Sequence, residues 1–280
     1  MEDKLEQISN AQKDSWNKFS SGWEKWDKLT MGFLMPYGEE IIKLVKPTAN
    51  DIVLDVAGGT GEPGLSIAPM VANGKVIITD LSEGMLQVAK EKITVKGIKN
   101  IETSIADVSK LPFDDNAFDI VTCRFGYMFF PDMMLATQEM TRVLKPGGRI
   151  AASVWGSPEN NFWVTVMMQN IKKHIEMTPP AEGAPGMFRC AKPRLIANMF
   201  EEVSLKDVRE IEVNSKMNCD SAQEYWDFIT DVAAPFVEAL TPADEETIEE
   251  IRTDVINEIN HRYPDNTSID TYGLVIYGSK

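Results

Sequence analysis

Four acids and a run of glycines carry the chemistry that this chain advertises. The segment Asp51-Ile-Val-Leu-Asp-Val-Ala-Gly-Gly-Thr-Gly-Glu-Pro-Gly64 is a short apolar run that meets an acid and then breaks into glycines. Glycine permits a sharp turn and lets a ligand approach backbone without meeting a Cβ atom. The helical pattern that follows offers free N–H groups and the positive end of a dipole. Asp55 and Glu62 flank that turn. Two carboxylates there oppose a phosphate and attract a cation or a ribose hydroxyl. A nucleotide-like ligand with positive charge and no phosphate is expected.

Two further acids fall at equivalent places. Asp80 closes the apolar run Val76–Thr79, and Asp107 follows Ile101–Ile105. In open α/β sheets ligands lie beyond the carboxyl ends of the strands. Asp80 there can accept hydrogen bonds from both hydroxyls of a ribose. Its plainer role is to cap the next helix, since turns favour aspartate. Asp107 can accept from an adenine amino group while the Val108 N–H donates to a ring nitrogen; alone it reads as a turn residue. Cys123-Arg-Phe-Gly-Tyr-Met-Phe-Phe-Pro-Asp132 leaves the fourth strand toward the same edge. Its aromatics can wall a site and face a cationic sulfur with their π clouds, or simply fill core. Tyr127 is the one candidate catalytic hydroxyl, although an ordinary phenol is a weak base near neutral pH. S-adenosylmethionine, with its ammonium and sulfonium, fits this set of residues.

These positions must be held by alternating strands and helices. Strands are expected at 52–56, 76–79, 101–105, 118–123 and 149–155, with helices between them, giving a mainly parallel sheet covered on both faces. Ser82 and Asp132 are good N-caps, and Gly97 a good stop. Residues 1–45 read as helical and polar, with Trp16, Phe19, Trp23 and Trp26 on one face. That stripe serves either to dock the helix on the core or to cover a ligand. After Trp155 helices are expected at 160–177 and 192–200, separated by a Pro- and Gly-rich loop at 178–186. Strands are expected at 208–213 and 272–277. Between them Ser221-Ala-Gln-Glu224 is a capping box, and Thr241-Pro242 is expected to open a second helix. The acids at Glu245, Glu246, Glu249 and Glu250 form a solvated face.

Taken together, these stations resemble the class I S-adenosylmethionine-dependent methyltransferases. The likeness covers about Ile52 to Trp155. It rests on Val53-Leu-Asp-Val-Ala-Gly-Gly-Thr-Gly61, Asp80-Leu-Ser82 continuing to Met85-Leu86, Ala106-Asp107-Val108 with Leu111-Pro-Phe113, and Arg142-Val-Leu-Lys-Pro-Gly-Gly148. Within the class the core is similar to the branch of ubiquinone and menaquinone C-methyltransferases. The resemblance implies a seven-stranded, mostly parallel Rossmann-like sheet whose last strand is inserted antiparallel. An N-terminal helical lid (1–45), a cofactor-binding core (46–156) and a substrate-recognition region with the last two strands (157–280) would complete it. It implies S-adenosyl-L-methionine as cofactor, wrapped by Asp55, Ala57, Gly58, Gly59 and Gly61. Asp80, Leu81 and Met85 would lie at the ribose, Ala106, Asp107 and Val108 at the adenine, and the backbone of Arg124 and Phe125 near the methionyl amine. Ala57 stands where the family usually has glycine.

The substrate is expected to be a small apolar or aromatic molecule, met by Trp16, Trp23, Tyr127, Phe130 and Trp155. Catalysis by proximity is expected, because His174 reads as structural and no strong base is evident. Gly59-Thr-Gly-Glu-Pro-Gly64 also matches the dinucleotide fingerprint, so an NAD(P)-dependent oxidoreductase is the alternative. An arsenite methyltransferase is disfavoured because Glu62-Pro63-Gly64 replaces the cysteine expected after the turn. A cofactor-binding partner module without activity is the third.

Bulk properties narrow the field. A net charge of −15 over 280 residues disfavours nucleic acid and anionic membrane surfaces. Cys123, Cys190 and Cys219 lack metal-ligand spacing, and with two histidines no metal site is expected. No bilayer-spanning run and no secretory segment are evident, so a cytoplasmic protein with reduced thiols is expected.

Overall fold

The structure is a computed structural model, described for residues 2–177, 181 and 183–280. In chain order the elements are α1 (Glu2–Lys25), α2 (Asp27–Val45), β1 (Ile52–Val56), α3 (Gly64–Ile67), β2 (Lys75–Asp80), α4 (Glu83–Lys96), β3 (Ile101–Ile105), β4 (Phe118–Arg124), α5 (Met133–Val143), β5 (Leu144–Trp155), α6 (Phe162–His174), α7 (Leu195–Glu202), β6 (Lys206–Cys219), α8 (Ala222–Val232), α9 (Ala234–Leu240), α10 (Glu245–Arg262) and β7 (Thr267–Ser279). The strands form one sheet in the order β3-β2-β1-β4-β5-β7-β6. β1 to β5 pair in parallel, and β7 is antiparallel to both β5 and β6.

The central strands form because they are apolar on both faces: Val53, Leu54, Ile120, Val121, Ile150 and Ala151 are fully buried. Strand order reverses between β1 and β4, which opens a crevice at their carboxyl ends. The expected caps are in place. Ser82 Oγ accepts from Met85 N–H, Asp132 Oδ1 from Leu135 N–H, and Gly97 closes α4 at φ +65°.

The differences from expectation have local causes. The 1–45 helix divides at Trp26 into α1 and α2. α2 belongs to the core, where Tyr37, Ile41 and Val45 are fully buried, while α1 packs on α4 and α8. Lys145–Gly148 falls within β5, as an irregularity between the pairs Phe118–Leu144 and Ile120–Arg149. α6 ends at His174 and α7 starts at Leu195, each shorter or later than expected. β6 and β7 are 14 and 13 residues long, about twice the expected length. Thr241-Pro242 does not open a helix. Thr241 ends α9, a helix that was not expected, and Asp244 caps α10 by accepting from Thr247 N–H. The expected 178–186 loop lies partly outside the described residues.

Candidate active site

The turn after β1 is shaped by what lies behind it. Asp55 is fully buried; it accepts from Gly64 N–H (2.9 Å) and Thr122 Oγ1 (2.7 Å). Burial pushes its carboxyl up to about 7. A Cβ at Gly58 would lie 2.6 Å from Ile78 Cγ2 and 2.9 Å from Asp55 Oδ2, so only glycine fits there. Asp55 therefore braces the turn from behind. Neither it nor Gly61 lines the crevice, contrary to the direct ligand role expected of both. Glu62 lines it instead.

The next acids face the ligand space. Asp80 lines the crevice, accepting from Gly59 N–H (3.0 Å) and Ser82 N–H (2.9 Å) while burial pushes it up to about 6. It thus both fixes the turn and presents its remaining acceptor sites. Asp107 Oδ1 accepts from Ser109 N–H (2.7 Å) and Oδ2 from Ser9 Oγ of α1 (3.0 Å). Ala57, Gly58, Gly59, Leu81, Met85, Ala106, Val108, Arg124 and Phe125 line the same cavity, of about 420 Å³.

The far half of the cavity is aromatic. Trp16 meets Trp23 and Phe129 edge to face, with centroids 5.9 and 5.1 Å apart. Trp155 stacks on Phe125 at 4.1 Å and meets Trp163 at 4.9 Å; Phe33 bridges Trp163 to Phe228. Of the expected substrate residues, Trp16, Trp23, Phe130 and Trp155 line this half. Tyr127 does not. The 3-10 turn after Gly126 rotates it into the core, where its hydroxyl pairs with Thr137 Oγ1 (3.0 Å) and burial drives its phenol well above the ordinary value. It is withdrawn as a catalytic or substrate residue. Trp26 also leaves the stripe: its indole donates to Asp231 Oδ2 (2.8 Å).

Several residues escaped sequence reasoning. Phe33, Trp163 and Phe228 carry no local signal beyond being apolar on helices. Asn17 Oδ1 accepts from Ser82 Oγ (2.7 Å) and Gly84 N–H (3.0 Å), fastening α1 to the start of α4. Among the described residues the cavity is lined by no His, Lys, Cys or Tyr; its acids are Glu62, Asp80, Asp107 and Glu238. All three cysteines are buried and free.

The residues fit S-adenosylmethionine. A glycine cradle and an acid at the end of each of β2 and β3 suit a cationic, phosphate-free nucleoside. Fold and site define a class I S-adenosylmethionine-dependent methyltransferase. The fold is shared with the YcgJ protein of Bacillus subtilis (TM-score 0.56, 23% identity, 87% of this chain and 97% of that one) and a putative methyltransferase of Bacillus halodurans (TM-score 0.56, 22% identity, 87% and 98%). The chain belongs to the ubiE/COQ5 methyltransferase family, whose model matches residues 16–175. It is 33% identical to a demethylmenaquinone methyltransferase of Listeria monocytogenes over 189 residues, 62% of this chain and 77% of the relative. It is 39% identical to a ubiquinone/menaquinone biosynthesis C-methyltransferase of Teredinibacter turnerae over 123 residues, 43% of this chain and 49% of that enzyme. The NAD(P)-dependent alternative is not supported by these relatives. No helix among the described residues is long and apolar enough to cross a membrane.

Proposed function

We propose that the protein methylates a small, apolar, ring-bearing acceptor, an electron-rich phenol or hydroquinone being the best fit. One observation carries this reading: a single cavity joins the glycine–acid half to a half walled by Trp16, Trp23, Phe33, Trp155, Trp163 and Phe228. A flat apolar ring can stack among these side chains at little polar cost. The quinone-related names of the relatives support the same class.

When bound, S-adenosylmethionine supplies a methyl group on a sulfonium, whose loss leaves a neutral thioether. The protein's share is positional. Gly58 and Gly59 would bring backbone close to the cofactor, Asp80 would hold the ribose, and Asp107 with Val108 would meet the adenine. The aromatic walls orient the acceptor and exclude water. Such alignment can supply about 7–11 kcal/mol of barrier reduction. Glu62 and Glu238 are the remaining lining acids among the described residues, and none of those residues offers a strong base to the acceptor half. The acceptor therefore brings its own electron density, as a phenolate or hydroquinone does. α1 acts as the lid over both halves.

The test is transfer of labelled methyl from S-adenosylmethionine to a reduced naphthoquinone, a simple phenol and an aliphatic amine. Label in the ring compounds but not the amine is expected. Label in the amine alone would overturn the acceptor class.

A further inference from the structure

Two stretches of the acceptor wall lie outside the long helices and strands. Phe129, Phe130 and Pro131 follow β4, and Pro185, Gly186 and Met187 lie between α6 and α7. A wall of this kind keeps its place only through what fastens it. Among the described residues, the hydrogen bonds that join 183–190 to the rest of the chain, beyond its own turns, all run to 128–133. Gly186 N–H donates to Met128 O (3.1 Å). Arg189 donates from Nη1 to Phe130 O and from Nη2 to Pro131 O (3.3 Å). Cys190 Sγ reaches Met133 Sδ (3.5 Å), a weak contact.

Arg189 itself does not line the cavity. Its Nε is closed to solvent without a partner, and burial pulls the guanidinium below its ordinary value. Asp132 attracts it, but Asp132 Oδ1 caps α5. The charge of Arg189 thus rests on two backbone carbonyls, both belonging to residues that line the cavity. A planar fork suits such a two-point clasp, and a hydrogen bond from a charged donor is stronger than a neutral one.

We infer that Arg189 is a positioning residue for the methyl acceptor: it clamps 185–187 against 129–131 and so fixes the width of the acceptor half. This rests on the acceptor reading above and adds to it the residue that holds the wall in register. Arg189 touches neither ligand. It acts through Phe130 and Pro131 on one side and through Gly186 and Met187 on the other. The cofactor half, built on the ends of β1 to β4, does not depend on it.

The experiment combines methyl-transfer kinetics and hydrogen exchange on the full chain. With a reduced naphthoquinone as acceptor, Arg189→Met is expected to raise the acceptor KM about tenfold, the worth of one hydrogen bond to a charged group. The KM for S-adenosylmethionine and the affinity for S-adenosylhomocysteine should stay within twofold of wild type. Arg189→Lys, whose ammonium can still donate to a carbonyl, is expected to recover part of the loss. Peptides covering 183–190 should exchange faster in Arg189→Met, while those of α4 are unchanged. An unchanged acceptor KM, or an equal rise in both KM values, would overturn the inference and leave Arg189 as a general stabiliser. So would exchange over 183–190 that matches wild type. If wild type labels no ring compound, the acceptor reading fails, and hydrogen exchange still decides whether Arg189 clamps the wall.

Discussion

Ala57 holds a left-handed φ of +51° at the head of the ligand turn, a conformation that a side chain makes unfavourable. Its methyl is tolerated because position 126 has none: a Cβ at Gly126 would lie 2.8 Å from that of Ala57. Ala57→Gly is therefore expected to stabilise the protein by about 1 kcal/mol, measured by urea denaturation, since the relief of strain exceeds the added freedom of the unfolded chain. A loss of stability would mean that the methyl packs more favourably than its backbone is strained. Asp80 sets the pH response. In the free protein its carboxyl is raised to about 6, so below that pH it is protonated and offers fewer acceptor sites. Ribose hydroxyls donate to the ionised form and favour it. Binding of S-adenosylhomocysteine thus releases a proton below pH 6, and affinity is expected to fall by up to about tenfold per unit there. Above that value Asp80 adds no further slope. Asp80→Asn should weaken binding at pH 7.5 and abolish the slope; a slope that persists in the variant would place the titrating group elsewhere.

α1 works as an element because its contacts with the core are few and specific. Ser9 reaches Asp107, Asn17 reaches Ser82 and Gly84, and Trp23 donates to Val232 O (3.1 Å). Asn17→Ala leaves the Gly84 N–H without its acceptor and removes a net contribution of about 1 kcal/mol. Release of S-adenosylhomocysteine is expected to quicken about fivefold in stopped-flow, with no change in the far-ultraviolet circular dichroism. Unchanged release would show that Asn17 serves α4 and not the lid. Such contacts were not legible in the sequence, because they join residues 65 and more positions apart and obey no local period. The division of the first helix at Trp26 is hidden for the same reason: that indole is claimed by Asp231 on α8. β1, β3 and the caps at Ser82 and Asp132 were legible, since buried strands and N-caps are written in consecutive residues. β6 was legible only at its apolar centre. Outside the expected 208–213 it carries Lys206, Asp207, Asn214 and Lys216 on a half-exposed edge strand, which weakens the apolar signal. Tyr127 misled because alternation continues past the strand, and only the turn after Gly126 reveals which way its ring faces.

At the scale of the molecule, the cofactor half of the cavity was readable and the acceptor half was not. The first is built from four consecutive strand ends; the second gathers α1, α2, the start of α6, residues 185–187 and the α8–α9 junction. Its walls thus converge from chain segments separated by up to some two hundred positions, which makes ligand binding a whole-chain event. Trp23 on Val232, Trp26 and Lys25 on Asp231, and Phe33 against Phe228 tie the N-terminal helices to α8. With those ties the lid, the sheet and the C-terminal helices are expected to unfold as one unit. S-adenosylhomocysteine at 100 times its Kd should stabilise that unit by about 2.7 kcal/mol. For a chain of this size the midpoint should rise by roughly 5–10 °C in scanning calorimetry. The rise should move a single transition. A lower transition that precedes it and ignores the ligand would mean that the helices over the acceptor half melt independently. The aromatic wall would then be an apolar surface resting on the core, and its residues would not be held in the register that positional catalysis requires.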